Sequence, residues 1–442
     1  MFPNPQGALP FPPRPNLEHY KKRAKDLVRA CKSDDDKAIR IWAAKWLESL
    51  TGLQDSAESS GWITRMLDDI EKFARNQLSM SSSVKTRCSL ADAQFVIARV
   101  HGFQSWPKLV RHLEGLTRKN SPDRNFEMAA EAIVNGDFAA LQHLLEHNPE
   151  LARARSAREH QATLLHYVSA NGVEGYRQRT PKNVVRIAEI LLQAGADVDA
   201  EADVYGGGAT TLSLVATSVH PERAGVQQAL MELLLAHGAA IDHPTGDGNR
   251  QSLVPGCLAN GRGMAAEFLA QRGAPLDLEG AAGVGRLDVV ASFFTGDGKL
   301  KENATSVQLE RGFLWACEYG RKDVVAFLLD KGVDLLTQAN TGETGLHWAV
   351  IGGQLDLIQL LLEHGASLES KNVYGGTALG QALWSAVNSD NGMDYVQVIE
   401  TLLAAGAQIE DGTLAWLEQQ EDGSSSLKLR ITEVLRRHGA KS

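Results

Sequence analysis

Apolar residues recur along this chain at helical spacing, and the runs they form end alike. Stretches rich in Leu, Val and Ile close on Gly-Ala at Gly195, Gly238, Gly273, Gly365, Gly406 and Gly439, and on Gly-Val at Gly332. Apolar positions three and four apart predict a helix that buries one stripe. A glycine directly after the stripe predicts a left-handed residue that stops the helix. The stretch TGLHWAVIGGQLDLIQLLLEHGA, from Thr344, adds a shorter apolar run and a Gly turn in front, which predicts a helix–turn–helix. One helix pair cannot bury both its sides, so copies must stack and share a core.

The stops are periodic. Gly332 to Gly365 is 33 residues, and so is Gly406 to Gly439. Gly195 to Gly238 is 43 and Gly365 to Gly406 is 41, so those copies carry insertions. The 59 residues from Gly273 to Gly332 hold one weaker copy, LEGAAGVGRLDVVASFFTGDG, ending near Gly296. Thr344, Leu346, His347 and Ala349 stand where the ankyrin repeat writes T-P-L-H-x-A. Gly353 opens the turn between helices, and Gly365-Ala366 closes the copy. On these residues the chain resembles ankyrin-repeat proteins over residues 126–442, in about nine copies. Gly345 replaces the family's Pro, and the segments Thr210–Ala216 and Gly376–Ala382 lack both Pro and His.

The resemblance implies an all-α, ankyrin-repeat solenoid with short β-hairpin tips and a polar C-terminal cap. It implies that His166 and His347, at the L-H-x-A position, tie adjacent turns by hydrogen bonds. It also implies an interaction protein whose concave face, lined by first helices and hairpin tips, binds a protein partner. On that face the expected contact residues are Tyr205, Trp315, Asn340, Glu343, Trp348 and Tyr374.

Residues 1–120 do not repeat. Leu17, Tyr20, Ala24, Leu27 and Cys31 share one helical stripe, with Lys and Arg around it. AIRIWAAKWLESL and WITRMLDDIEKFARNQL predict two further helices, followed by the linker SMSSSVKTR. Ser89 and Asp92 form a capping-box pattern before LADAQFVIARVHG. Ser105 caps a last helix that carries Pro107 in its first turn. The expected domains are therefore 1–120, helical with a Pro-rich arm, and 121–442, the repeat array. RPNLEHYKKRAKDL and LADAQFVIARVHGFQSWPKL look like the N-terminal region of a group of bacterial ankyrin-repeat proteins, which implies no activity.

Composition narrows the classes further. The chain is 43% hydrophobic and 22% charged, ordinary for a soluble protein. No apolar run approaches the ~18 residues of a membrane span. Four dispersed cysteines without CxxC spacing point to a reducing, cytoplasmic location. The net charge of −9 hides an asymmetry. Residues 1–120 hold 20 Lys+Arg against 13 Asp+Glu, and the remainder 25 against 41.

Catalytic signatures are missing. There is no GxSxG, HExxH or Walker A, so the chain reads as a non-enzyme without cofactor. GAAGVG at Gly280–Gly285 has no preceding strand and falls in register as a repeat's first helix and turn. His143 and His147 pair at i,i+4 with no third ligand in view, so no metal is expected. The basic residues of 1–120 are interleaved with Glu18, Asp26 and Asp34–Asp36, which argues against nucleic acid. The insertions 171–183 and 217–225 support a second reading, a small molecule or peptide site, conceivably enzymatic. They bring Asn171, Glu174, Tyr176, Arg177, Arg179, Lys182 and His220, and are expected side by side over a pocket. Arg177 or Arg179 would fork onto a carboxylate or phosphate, and Glu174 or His220 would move a proton if buried.

Overall fold

The computed structural model describes residues 5–12, 14–50, 59–80, 88–244, 250–388, 393–420 and 425–440. The chain divides into two compact bodies, residues 1–241 with 245–248, and residues 242–244 with 249–442.

The N-terminal body begins with five helices: α1 (Leu17–Cys31), α2 (Ala38–Glu48), α3 (Ser59–Met80), α4 (Leu90–Val100) and α5 (Trp106–Thr117). Their apolar stripes meet in one core that includes Leu27, Trp46, Ile70, Val96, Ile97, Leu109 and Leu113. Ser89 and Asp92 cap α4 reciprocally, as their spacing predicts. Ser105 stands at the N-cap of α5 without a side-chain bond. Of the expected linker, residues 81–87 lie outside the described residues.

The Pro-rich arm is part of this core. Ala8 and Leu9 are buried. The Leu9 N–H donates to the Val100 carbonyl at 2.9 Å. His101 Nδ1 donates to the Leu9 carbonyl at 3.0 Å. The Phe11 ring stacks on His101 at 4.6 Å. The arm starts as a 3₁₀ turn at Pro5–Gly7, and its few apolar side chains supply the burial that holds it.

The repeats of this body follow as α6 (Pro122–Asn135), α7 (Phe138–His147), α8 (Val184–Gln193), α9 (Thr211–Thr217), α10 (Val219–Arg223) and α11 (Gln227–Ala236). Strands β1 (Glu201–Ala202) and β2 (Ala209–Thr210) make a hairpin tip. Where the next first helix is expected, Leu164–Ser169 instead forms a short 3₁₀ turn. Ala170, left-handed at φ +48°, ends it.

The C-terminal body opens with the hairpin β3 (Asp242–Pro244) and β4 (Arg250–Ser252). Twelve helices follow among the described residues. They are α12 (Leu253–Ala259), α13 (Gly263–Gln271), α14 (Leu278–Gly283), α15 (Leu287–Ser292), α16 (Ser306–Glu318) and α17 (Lys322–Asp330), then α18 (Gly345–Ile351), α19 (Leu355–Glu363), α20 (Ala378–Asn388), α21 (Tyr395–Ala404), α22 (Thr413–Gln419) and α23 (Ser425–Arg437). A continuous apolar core runs through α14 to α23, with Phe313, Val325, Ile358, Leu361, Ile399, Leu402 and Leu435 all buried. GAAGVG is α14 and its turn, as the register requires. In α23, Ile431 and Leu435 face the core while Arg430 and Arg437 pair outward with Asp394 and Glu400.

The repeat grammar holds in both bodies. All seven predicted helix stops have φ between +80° and +101°. His147, His237 and His364 each donate through Nδ1 to the carbonyl four residues back, which satisfies a helix-end acceptor.

Candidate binding surfaces

Two regions collect the residues singled out by sequence. In the C-terminal body, Trp315 and Trp348 occupy the same position of successive first helices, α16 and α18, and both are half-buried. The next tip is built around Asn372. Its Oδ1 accepts from the Tyr374 N–H at 3.0 Å and the Gly376 N–H at 2.9 Å. The Val373 N–H donates to the Thr341 carbonyl at 3.0 Å, which ties this tip to its neighbour. Gly342, at φ +84°, permits that approach, because a Cβ there would sit 2.9 Å from the Asn372 Cα. Tyr374 therefore stands 81% exposed on a braced backbone, with Trp384 also exposed on α20. Asn340 is exposed. Glu343 is only 7% exposed, and its carboxylate accepts from the Thr341 hydroxyl. It braces the tip rather than presenting a charge.

In the N-terminal body, the insertion 171–183 turns Glu174 and Arg177 inward and leaves Arg179 and Lys182 exposed. Glu174 is 0% exposed and Arg177 3%. Arg158 Nη1 lies 2.8 Å from Glu174 Oε1 and 2.7 Å from Glu127 Oε1. Arg177 Nη2 lies 2.7 Å from Glu127 Oε2 and 2.9 Å from Glu131 Oε1. Arg158 also donates to the Tyr176 hydroxyl at 3.2 Å, and His160 Nε2 donates to Glu174 at 3.3 Å. The guanidinium of Arg158 lies over the rings of Phe11 and Phe103. Buried charges persist only when paired in this way.

The electrostatics follow from that pairing. Burial opposes ionisation of Glu174, but Arg158 and Arg177 outweigh it and hold the carboxyl far below its ordinary range. Glu127 is held down by the same two cations against the same burial. A carboxylate so stabilised is a poor proton acceptor, so the expectation that Glu174 would carry a proton once buried fails on its partners. Arg177 does fork onto carboxylates, as its type suggests, but onto the chain's own Glu127 and Glu131.

The two insertions touch at one point. Asn171 Nδ2 donates to the Leu214 carbonyl and to Thr217 Oγ1, each at 3.2 Å. Asn171 Oδ1 accepts from the Tyr205 hydroxyl at 2.6 Å, and Gln6 of the arm donates to that hydroxyl at 2.8 Å. Tyr205 is thus exposed but tethered, at φ +53°. His220 lies half-buried in α10. A cleft of about 1090 Å³ opens beside the first insertion, lined by Tyr176, Arg177 and Arg179 together with the arm and α6; no residue of 217–225 lines it.

Sequence reasoning missed Glu127, Arg158, His160 and Phe11. Glu127 sits among Arg124 and Glu131 on what reads as a solvated helix face, and Arg158 lies in an aperiodic loop. The His143–His147 pair has a third neighbour that its spacing did not include. Ligand atoms of His143, Glu146 and His147 all lie within 4.8 Å of one another, on exposed α7.

Comparison with known proteins finds one family model that matches part of the chain. The model for Ankyrin repeats (3 copies) matches residues 313–412, which hold Trp315, Trp348 and Tyr374. No curated protein matches. Among solved structures, the crystal structure of the human ASB11 ankyrin repeat domain is similar at 22% sequence identity. The similarity covers 64% of this chain and 99% of that one, with a TM-score of 0.33.

Proposed function

We propose that the ankyrin repeats of residues 313–412 make this chain a binding protein that holds a protein partner on the face formed by Trp315, Trp348 and the Tyr374 tip, with Asn340 beside them. Ankyrin repeats are generic protein–protein interaction modules. They supply extended surface and no chemistry of their own. The observation that carries the reading is the braced tip. Tyr374 is 81% exposed, yet its backbone is fixed by Asn372 and tied to Thr341. An aromatic anchor held in place loses little freedom on binding, which is the usual character of an interface hot spot. The further repeats of 121–442 would lengthen this surface, with 1–120 as a helical domain before them. The four cysteines are free, which suits a reducing compartment such as the cytoplasm. No helix among the described residues is long and apolar enough to cross a membrane.

The test is native mass spectrometry of the protein recovered from its own source, followed by affinity measurement on the captured chain. Tyr374→Ala, which removes no buried contact, should weaken binding by a factor of ten or more, roughly 1.4 kcal/mol or above. Adding Trp348→Ala should weaken it further. Unchanged affinity in the double variant would remove this face from consideration.

A further inference from the structure

The cleft in the N-terminal body has a feature the partner surface lacks, a set of uncommitted cations around an apolar floor. We propose that it binds a small amphiphilic organic anion. Arg14, Arg124 and Arg179 take the charged group, and Phe11, Met128 and Tyr176 take the apolar body.

One wall is a full face of α6, where Arg124, Glu127, Met128, Glu131 and Asn135 recur at helical spacing. The opposite wall is the arm, with Pro10, Phe11, Pro12, Arg14 and Pro15. Tyr176, Arg177 and Arg179 close one end. Three acids line the cleft, and each is already engaged. Glu127 is held by Arg158 and Arg177, and Glu131 by Arg177. Asp137 accepts from the Ala140 N–H and caps α7. Among the described residues, Arg14, Arg124 and Arg179 have no carboxylate within ion-pairing distance. The charge left over in the cleft is therefore positive, on a chain whose net charge is −9. A cationic concavity on an acidic protein concentrates anions.

The apolar half of the inference rests on Met128, which is 48% exposed in the middle of the α6 face. Beside it, Phe11 and Tyr176 present ring surface to the same space. The volume, about 1090 Å³, is slightly above the ~300–1000 Å³ of small-molecule pockets, so one such ligand fits with space to spare. Guanidinium groups fit carboxylate, sulfonate and phosphate oxygens alike, and the apolar floor selects among molecules carrying them.

The probe is 8-anilinonaphthalene-1-sulfonate, titrated into the full chain at low salt and followed by fluorescence and calorimetry. One saturable site per chain is expected, weakened at least tenfold by Arg124→Glu with Arg179→Glu, and separately by Met128→Asp. All three side chains are exposed, so circular dichroism should show the fold retained. Tyr374→Ala should leave dye binding unchanged, which separates this site from the partner surface. Decanoate should displace the dye, whereas inorganic phosphate at the same concentration should not. Dye binding indifferent to the charge reversals would overturn the proposal. Equal displacement by phosphate would overturn its apolar half. Displacement by an acidic peptide at far lower concentration than decanoate would overturn the small-molecule assignment in favour of a peptide.

Discussion

His166 in the N-terminal body and His347 in the C-terminal body make the same bonds in different surroundings. Nδ1 of His166 accepts from the Thr163 N–H at 3.1 Å and hydroxyl at 2.8 Å, while Nε2 donates to the Ala209 carbonyl at 3.2 Å. His347 repeats the pattern with Thr344 at 3.2 and 2.9 Å and with Gly376 at 3.1 Å. Around His347 the core is hydrocarbon, with Leu346, Val350 and Phe313 buried. In the body of His166 a 3₁₀ turn stands in place of a helix, and Arg158, Glu174, His160 and Arg177 fill the interior. Where the repeat is regular, helix stripes bury one another. Where an insertion interrupts it, paired charges occupy the space that a helix would have filled. In the first arrangement a truncated side chain leaves a cavity; in the second a removed partner also leaves a buried charge short of its counter-ion.

The sharpest way to break this contrast is Arg158→Met. It removes the nearest cation from buried Glu174, leaving it His160 at 3.3 Å and Arg177 at 3.6 Å, and takes one of two guanidinium partners from Glu127. A buried pair broken from one side costs about 3–5 kcal/mol. Hydrogen-exchange protection should fall across residues 88–241 and hold across 313–412. Arg158→Met combined with Glu174→Met should recover part of the loss. Uniform loss over both regions, or no recovery in the double variant, would show that the ion pairs are not what sets the N-terminal body apart.

Acid should widen the same contrast. Burial holds His101 neutral, with its pKa lowered to about 3, and His166 likewise, lowered to about 4. The unfolded chain protonates both near pH 6.5, so it binds more protons than the fold below that value. Stability of the N-terminal body then falls as pH drops from about 6.5 towards 4, by on the order of 1.4 kcal/mol per ring per unit. His112 is shifted upward by Asp123 and Glu127 against the opposing effect of burial. It is charged in both states below 6.5 and adds no slope there. In the C-terminal body burial raises Glu318 to about 7 and also raises Glu279. A raised carboxyl stabilises most at low pH and loses that contribution as pH climbs from 4.5 to 7. His347, lowered by burial, opposes this in part. Protection factors at pH 5 and pH 7, corrected for intrinsic exchange, should show the N-terminal body losing more on acidification. Equal losses would contradict the assignment of these groups.

The smallest effect tests what the two bodies share. Gly195, at φ +89°, and Gly365, at φ +86°, stop equivalent helices, and a Cβ on either would meet nothing closer than 3.8 Å. Gly195→Ala and Gly365→Ala should each cost about 1–2 kcal/mol, from backbone strain alone. Urea midpoints should shift alike, and a large inequality would mean that the stop is not the same device in both places.

Much of the architecture was legible because it is written locally. The left-handed stops, the Ser89–Asp92 cap and the reading of GAAGVG as a repeat helix each depend on residues within one turn or one copy, while the two tying histidines reach one copy further, to Ala209 and Gly376. The candidate sites were legible in part. Tyr374 and the Trp315–Trp348 pair could be placed by register, whereas the burial of Glu343 could not. Glu174 and Arg177 were noticed as residues, but their partners were not. Glu127 lies 50 residues from Arg177 and 31 from Arg158, on a helix face indistinguishable by pattern from a solvated one.

Periodicity and glycine placement by themselves determined the all-α repeat, because helix formation, its stripe and its stop are decided by backbone angles and neighbours three or four residues away. Tertiary structure alone decided which charges are buried, which are paired and which remain free around the cleft. A charge takes its meaning from burial and from partners brought close across tens of residues, and no local pattern records either.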